Sequence, residues 1–245
     1  SEQRATWEAI YDKKNEEFLK NPSVGKDLLR WKYQRYVKEY CRTIRSVDEQ
    51  VGRLLDYLEE KGVLDNTVIV YTSDQGFLLG EHGLYDKRFM YEESFRTPLI
   101  ISCPSLVKKH SVCKELVQNI DLAPTFLSLA GVEVPKEMSG RSLLPLFKNG
   151  KAENWRNELY YHFYDYPAVG SVRKHDGIRT KRYKLIHWHG EGSGNDEAID
   201  FWELYDLKKD VMEVNNVYDN PKYVKVREAL TVQLEKLRKD VGVTE

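Results

Sequence analysis

The sequence predicts an α/β fold that runs on into a smaller α+β unit with an antiparallel sheet and a C-terminal helix. Three observations carry that expectation. A long helical periodicity precedes two short apolar runs that bracket a glycine-rich loop. After Gly150 the texture changes to short, aromatic-rich, partly alternating segments. The final stretch returns to helical spacing. Long helix, strand, loop, strand and helix is the rhythm of a sheet with helical cover.

The elements follow in order. Residues 1–30 are polar and mixed, a charged helix-like segment without an initiator methionine, so the chain is expected to begin inside a longer protein. Asn21-Pro22-Ser23-Val24-Gly25 reads as a turn. From Tyr33, apolar residues at 33, 36, 37, 40, 44, 47, 51, 54, 55 and 58 describe one face of a long helix. The tyrosines at 33, 36 and 40 have core spacing. Lys61 and Gly62 mark its end, a cation in the last turn and then glycine. Residues 66–72 form a short β-branched run, apolar on both faces, which suits a buried parallel strand. A second buried strand is expected at Pro98–Ser102. A helix follows from Asp121, read as its N-cap, to Ala130, closed by Gly131.

Beyond the boundary at Lys148–Asn154, strands are expected at Leu159–Tyr164, Gly177–Thr180, Tyr183–Trp188 and Phe201–Tyr205. His189–Asn195 reads as a loop. Pro221 to about Lys239 carries Tyr223, Val226, Leu230, Leu234 and Leu237 on one helical face. Lys225, Arg227, Lys236 and Arg238 read as its solvated side. The domain reading is therefore 1–150 and 151–245.

Composition narrows the function classes. Lys plus Arg number 38 and Asp plus Glu 39, so no global basic field draws nucleic acid or anionic lipid. No apolar run has the length of a membrane span. Cys41, Cys103 and Cys113 form no disulfide framework and no metal knuckle. They leave the redox compartment open, and with the lack of an Asn-x-Ser/Thr acceptor they suit a bacterial periplasmic protein better than a lysosomal one.

In open α/β sheets, sites form beyond the C-terminal ends of strands. The run after the first strand is Ser73-Asp74-Gln75-Gly76-Phe77-Leu78-Leu79-Gly80-Glu81-His82-Gly83-Leu84-Tyr85-Asp86-Lys87-Arg88. Asp74 and Gln75 put two side-chain oxygens at the strand terminus, donors suited to Ca²⁺ or Mg²⁺. Gly76 lets the chain turn away, Gly80 and Gly83 tighten the loop, and Lys87 can reach back as a point charge. A divalent cation plus a lysine suits a sulfate or phosphate ester. From the residues alone, an ordinary turn is the competing reading.

This string, followed by Tyr91-Glu92-Glu93-Ser94-Phe95-Arg96-Thr97-Pro98, resembles the C-terminal part of the sulfatase family, within the alkaline-phosphatase-like superfamily. Asn119-Ile120-Asp121, Gly140-Arg141-Ser142, Gly177-Ile178-Arg179-Thr180, Tyr183-Lys184-Leu185-Ile186 and Trp202-Glu203-Leu204-Tyr205-Asp206-Leu207 are also similar to sulfatase segments. The resemblance implies that Asp74 and Gln75 are metal ligands for one Ca²⁺, and that Lys87 contacts the sulfate. His82 either lines the site or buttresses the loop. Glu93 and Arg96 would hold the segment by pairing with each other or with backbone. The fold implied is the C-terminal part of an alkaline-phosphatase-like α/β sheet domain followed by a small α+β subdomain.

The family's nucleophile motif, Cys or Ser, any residue, Pro, any residue, Arg, is oxidised at its first residue to formylglycine, whose hydrate attacks sulfur. The nearest string is Ser102-Cys103-Pro104-Ser105-Leu106, with Leu106 where Arg is required. The resemblance thus implies half of a metal site here, with the nucleophile and other ligands in a missing N-terminal half, and no activity for this chain alone. An exposed apolar sheet edge or face is expected near residues 66–102.

The substrate implied is a sulfated sugar like N-acetylglucosamine-6-sulfate, as found in glycosaminoglycans. The loop Tyr166–His175 holds Arg173, Lys174 and His175, candidates to bind it, against the plainer reading of a solvated basic loop. His187 and His189 share a strand face, where such a pair can bind a transition metal, but no third ligand is evident nearby. The alternatives are a phosphoesterase of the same superfamily and a non-catalytic carbohydrate-binding scaffold.

Overall fold

The computed structural model describes residues 2–167, 171–192 and 197–243. Parts of the expected loops at Tyr166–His175 and His189–Asn195 lie outside the described residues. The chain divides into two compact units, Ser1–Leu64 and Asp65–Glu245. The boundary expected near residue 150 falls inside the second unit.

The first unit is two helices, α1 (Glu2–Lys20) and α2 (Gly25–Glu60). The expected turn separates them, with Gly25 at φ 55°. Phe18 stacks on Trp31 at 4.0 Å, and Arg35 donates to Asn15, so the helices are joined by side chains either side of the turn. Gly62 ends α2 at φ 66°, its N–H bonded to the Glu59 carbonyl. No residue of α2 is buried. Tyr33, Tyr36 and Tyr40 are 43%, 38% and 36% exposed, so the stripe read as core spacing is a surface here.

The second unit begins with β1 (Ile69–Thr72) and β2 (Leu99–Ser102), which pair with each other. The pairing is antiparallel, with Tyr71 opposite Ile100, and this corrects the expectation of parallel strands. The physical reason is the connection: its only α-helix is α3 (Glu92–Phe95), far too short for a parallel crossover. Leu99 and Ile101 pack on a cluster of Leu143, Leu146 and Phe147. The opposite face shows Tyr71 at 39% and Ile100 at 62% exposure, the exposed apolar face expected there.

Two helices, α4 (Leu122–Leu129) and α5 (Leu144–Phe147), follow. Gly131 closes the α4 end at φ 71°. Asp121 does not serve as the expected side-chain cap of α4. It is fully buried and paired with Arg156, and it accepts from the Gln118 and Arg141 backbone N–H groups, each at 2.8 Å. It thereby ties three separate segments together. Gly140 packs so closely on the Ile120 carbonyl that a Cβ would lie 2.0 Å from its oxygen.

The C-terminal strands form one antiparallel sheet, β3 (Glu158–Phe163), β4 (His175–Thr180), β5 (Tyr183–Gly190) and β6 (Ile199–Asp206), in sequential order. Helix α6 (Val224–Asp240) covers one face through Leu230 and Leu234 against Ile178, Leu185 and Leu204. The other face packs Ile186, Trp188 and Tyr205 around Met90 and Val172. Gly177 makes room there, since a Cβ would sit 2.6 Å from the Met90 sulfur. The expected solvated side of α6 is only partly so: Arg227 donates to the Tyr218 carbonyl and Arg238 is paired with Asp176.

Candidate functional site

The loop after β1 is ordered by its own backbone. Gly76 N–H bonds to the Ser94 carbonyl, Leu78 N–H to Asp86 and Gly80 N–H to Leu84, each at 2.8 Å. The last two are hairpin rungs, so the chain doubles back and returns Lys87 toward the Gln75–Gly76 arm. Gly80 and Gly83, at φ 119° and 73°, make the tip. Gly76 is needed for a different reason from the one expected. Its Cβ would fall 2.1 Å from the Glu93 carbonyl oxygen, so the requirement is close approach rather than a left-handed turn.

Asp74 is exposed at the C-terminal end of β1, and Gln75 is partly buried. Ser73 Oγ lies 3.3 Å from Asp74 Oδ1 and donates to the Gln75 carbonyl at 2.8 Å. Asn119 Nδ2 donates to the Asp74 carbonyl at 2.8 Å, a support that sequence reasoning missed because it arrives from a remote segment. A carboxylate and an amide oxygen on a braced strand end are donors of the kind a hard cation takes, and a full shell for such an ion needs about six to eight oxygens. The Lys87 residue is exposed, and its backbone N–H is held by Asp86 Oδ1.

His82 stacks on Tyr91 with ring centroids 4.2 Å apart, and its Nε2 lies 3.8 Å from Glu93 Oε2. Only 14% of its side chain is exposed, which is the geometry of a buttress. Glu93 therefore faces His82, and Arg96 is exposed.

The acidic residue that does the holding is Glu92. Lys184, fully buried, sets its ammonium 2.9 Å from Glu92, 2.7 Å from Glu213 and 2.6 Å from the Met90 carbonyl. Arg179 adds a second cation to Glu92 at 3.1 Å. Burial alone would raise the Glu92 pKa, but Lys184 and Arg179 outweigh it and bring it to about 2. Burial outweighs the same ammonium at Glu213 and pushes its pKa up. The segment after Lys87 is thus clamped to β4 and β5.

The remaining candidates lie elsewhere. His175 opens β4 and is fully buried, stacked on Trp188 at 4.2 Å. Its Nδ1 donates to the Arg173 carbonyl at 2.9 Å, and burial pulls its pKa down to about 4. A ring sealed among aromatics does not face a substrate, which corrects the reading of a loop residue. Arg173 lies 4.8 Å over the Tyr166 ring and donates to the Tyr166 hydroxyl and the Glu197 carbonyl, so its guanidinium braces the loop.

A braced oxygen-bearing strand end, a returned lysine and a clamped antiparallel sheet define a portion of an alkaline-phosphatase-like hydrolase fold. The comparisons agree. The family model "Sulfatase" matches residues 2–132, and "N-sulphoglucosamine sulphohydrolase, C-terminal" matches residues 80–240. The chain belongs to the sulfatase family. It is 49% identical over 241 residues to the N-acetylglucosamine-6-O-sulfatase of Bacteroides thetaiotaomicron, covering 98% of this chain and 42% of that protein. A solved structure in complex with its substrate D-glucosamine-2-N,6-O-disulfate superposes with a TM-score of 0.87 at 49% identity, covering 98% of this chain and 47% of that one. The phosphonate monoester hydrolase of Agrobacterium radiobacter matches with a TM-score of 0.67 at 26% identity, covering 80% and 40%. The chain thus spans less than half the length of these relatives.

Proposed function

We propose that this chain is the C-terminal part of a sulfuric ester hydrolase that removes sulfate from a sugar resembling N-acetylglucosamine-6-sulfate. The observation that carries the reading is the match of 98% of this chain to a protein of that name, and the loop that bears Asp74, Gln75 and Lys87 is read as its contribution to the site. Residues 1–150 then belong to the catalytic α/β domain and 151–245 to a subdomain packed on it. Asp74 and Gln75 would hold Ca²⁺ together with ligands from the remainder of the protein. When bound, that ion supplies positive charge opposite the sulfate oxygens. Lys87 donates to the same oxygens, and His82 keeps the loop in shape by stacking on Tyr91. A formylglycine nucleophile would come from the missing N-terminal half, because no Cys/Ser-x-Pro-x-Arg string occurs in these 245 residues. The work would be glycosaminoglycan breakdown outside the cytoplasm, in a periplasm.

The test is desulfation of glucosamine-6-sulfate by the full-length protein, its Asp74→Ala and Lys87→Ala variants, and this chain alone. Full-length turnover should fall about a hundredfold or more in either variant, in line with loss of an electrostatic contact to developing charge. Turnover by the 245 residues alone would overturn the half-site reading. The likeness to a phosphonate monoester hydrolase favours one second reading, a phosphoesterase. Hydrolysis of a phosphonate ester in preference to the sulfate, with two bound transition metals in place of one Ca²⁺, would establish it.

A further inference from the structure

A second cluster of ligand-bearing side chains lies on the α6 face of the C-terminal sheet. His162, Asp176 and His187 stand opposite one another across β3, β4 and β5, and His189 follows His187 on the same face. These four side chains, Arg238 and Val243 line one pocket. Asp176, His187 and His189 each offer one ligand atom, all within 4.8 Å of one another. Asp176 Oδ1 is 3.6 Å from His189 Nε2 and 4.0 Å from His187 Nδ1. A tetrahedral ion with bonds of about 2.1 Å sets its ligands roughly 3.4 Å apart, so Asp176 Oδ1 and the two imidazole nitrogens must draw in by a few tenths of an ångström to meet it.

The proton positions also suit a cation. His187 Nε2 donates to Asp200 Oδ1 at 2.8 Å, which leaves Nδ1 with its lone pair toward Asp176. A carboxylate on the outer nitrogen is the usual way a metal-bound imidazole is oriented. His189 Nε2 is buried and has no hydrogen-bond partner among the described residues. The converging lone pairs are met by the Arg238 guanidinium. Its Nη2 lies 2.6 Å from Asp176 Oδ1 and 3.0 Å from His187 Nδ1. That nitrogen stands where a metal ion would, and Glu235, 2.5 Å from Nη1, is a carboxylate to which Arg238 can retire.

We propose that Asp176, His187 and His189 form a binding site for a divalent transition metal, zinc by its mixed imidazole and carboxylate donors, which the ion enters by displacing Arg238. The site is separate from the Asp74–Lys87 loop and does not depend on how that loop functions. His162 lines the same pocket from β3, and water fills the fourth position.

The test uses the untagged chain at neutral pH, titrated with Zn²⁺ against a chromophoric chelator, and with Co²⁺ followed by visible absorption. One saturable Zn²⁺ and an intense tetrahedral Co²⁺ spectrum are expected. His189→Ala, whose ring reaches solvent, should weaken Zn²⁺ binding about tenfold or more while circular dichroism stays unchanged. Arg238→Gln should tighten it, because the competing cation is gone. Failure of both wild type and Arg238→Gln to bind Zn²⁺ would overturn the site. So would a His187→Ala/His189→Ala pair that binds as well as wild type. Should Arg238→Gln not fold, the wild type against His189→Ala comparison decides alone.

Discussion

Buried ionisable groups govern this chain at the residue scale. His175 carries a ring that must stay neutral to remain among Tyr161, Phe163 and Trp188. Its folded pKa is about 4 against 6.5 for the free side chain. Between those values the unfolded chain binds the extra proton, so stability falls as pH drops from about 6.5 to 4. The full loss from this group is roughly 3 kcal/mol. Denaturant melts across that window should show it, and His175→Phe should flatten the profile. Lys184→Met makes the opposite kind of change: it leaves Glu92 and Glu213 facing each other without their shared cation. A loss of about 3–5 kcal/mol is expected in urea unfolding, whereas the exposed Arg45–Glu49 pair should cost under about 1 kcal/mol.

Local signals sufficed at the element scale wherever an element is defined by its neighbours in sequence. The α2 terminus at Gly62 and all four strands of the C-terminal sheet were legible, because period and turn residues are short-range. Strand direction at β1 and β2 was not, since it depends on what the connection between them becomes. Asp121 reads as a cap because an acidic residue before a helix usually is one; its partner Arg156 lies on a distant segment. Gly76 is a sharp test of the loop. Gly76→Ala forces a methyl onto the Glu93 and Arg96 carbonyls, so roughly 1–3 kcal/mol should be lost. In the full-length protein the same change should depress turnover more than substrate affinity, as measured by kcat and KM separately.

At the scale of the whole molecule, both units expose apolar side chains. Leu29, Ile44, Leu54 and Tyr57 on α2 are each at least half exposed, as is Ile100 on β2. Apolar exposure on each unit favours association. The purified chain should bind a hydrophobic dye and sediment as concentration-dependent oligomers, and Ile44→Glu with Leu54→Glu should lower both signals. The candidate site was legible as a string, since Asp74, Gln75 and Lys87 sit within one loop. What supports it was not, because Asn119, Arg179, Lys184 and Glu213 come from other parts of the chain. The same holds for Asp176, the third ligand that His187 and His189 lacked on paper, supplied by the adjacent strand.

The Lys184 clamp also sets an order of events during synthesis. Glu92 is made some ninety residues before Lys184, and Glu213 follows later still. At ribosomal speeds of about 5–20 residues per second, the loop waits roughly five to twenty seconds for its cation. Throughout that interval Phe89, Met90 and Tyr91 lack Ile186, Trp188 and Tyr205 of β5 and β6 to cover them. The nascent chain therefore carries an uncovered, partly acidic segment, and a chaperone that shields apolar surface has its longest opportunity there.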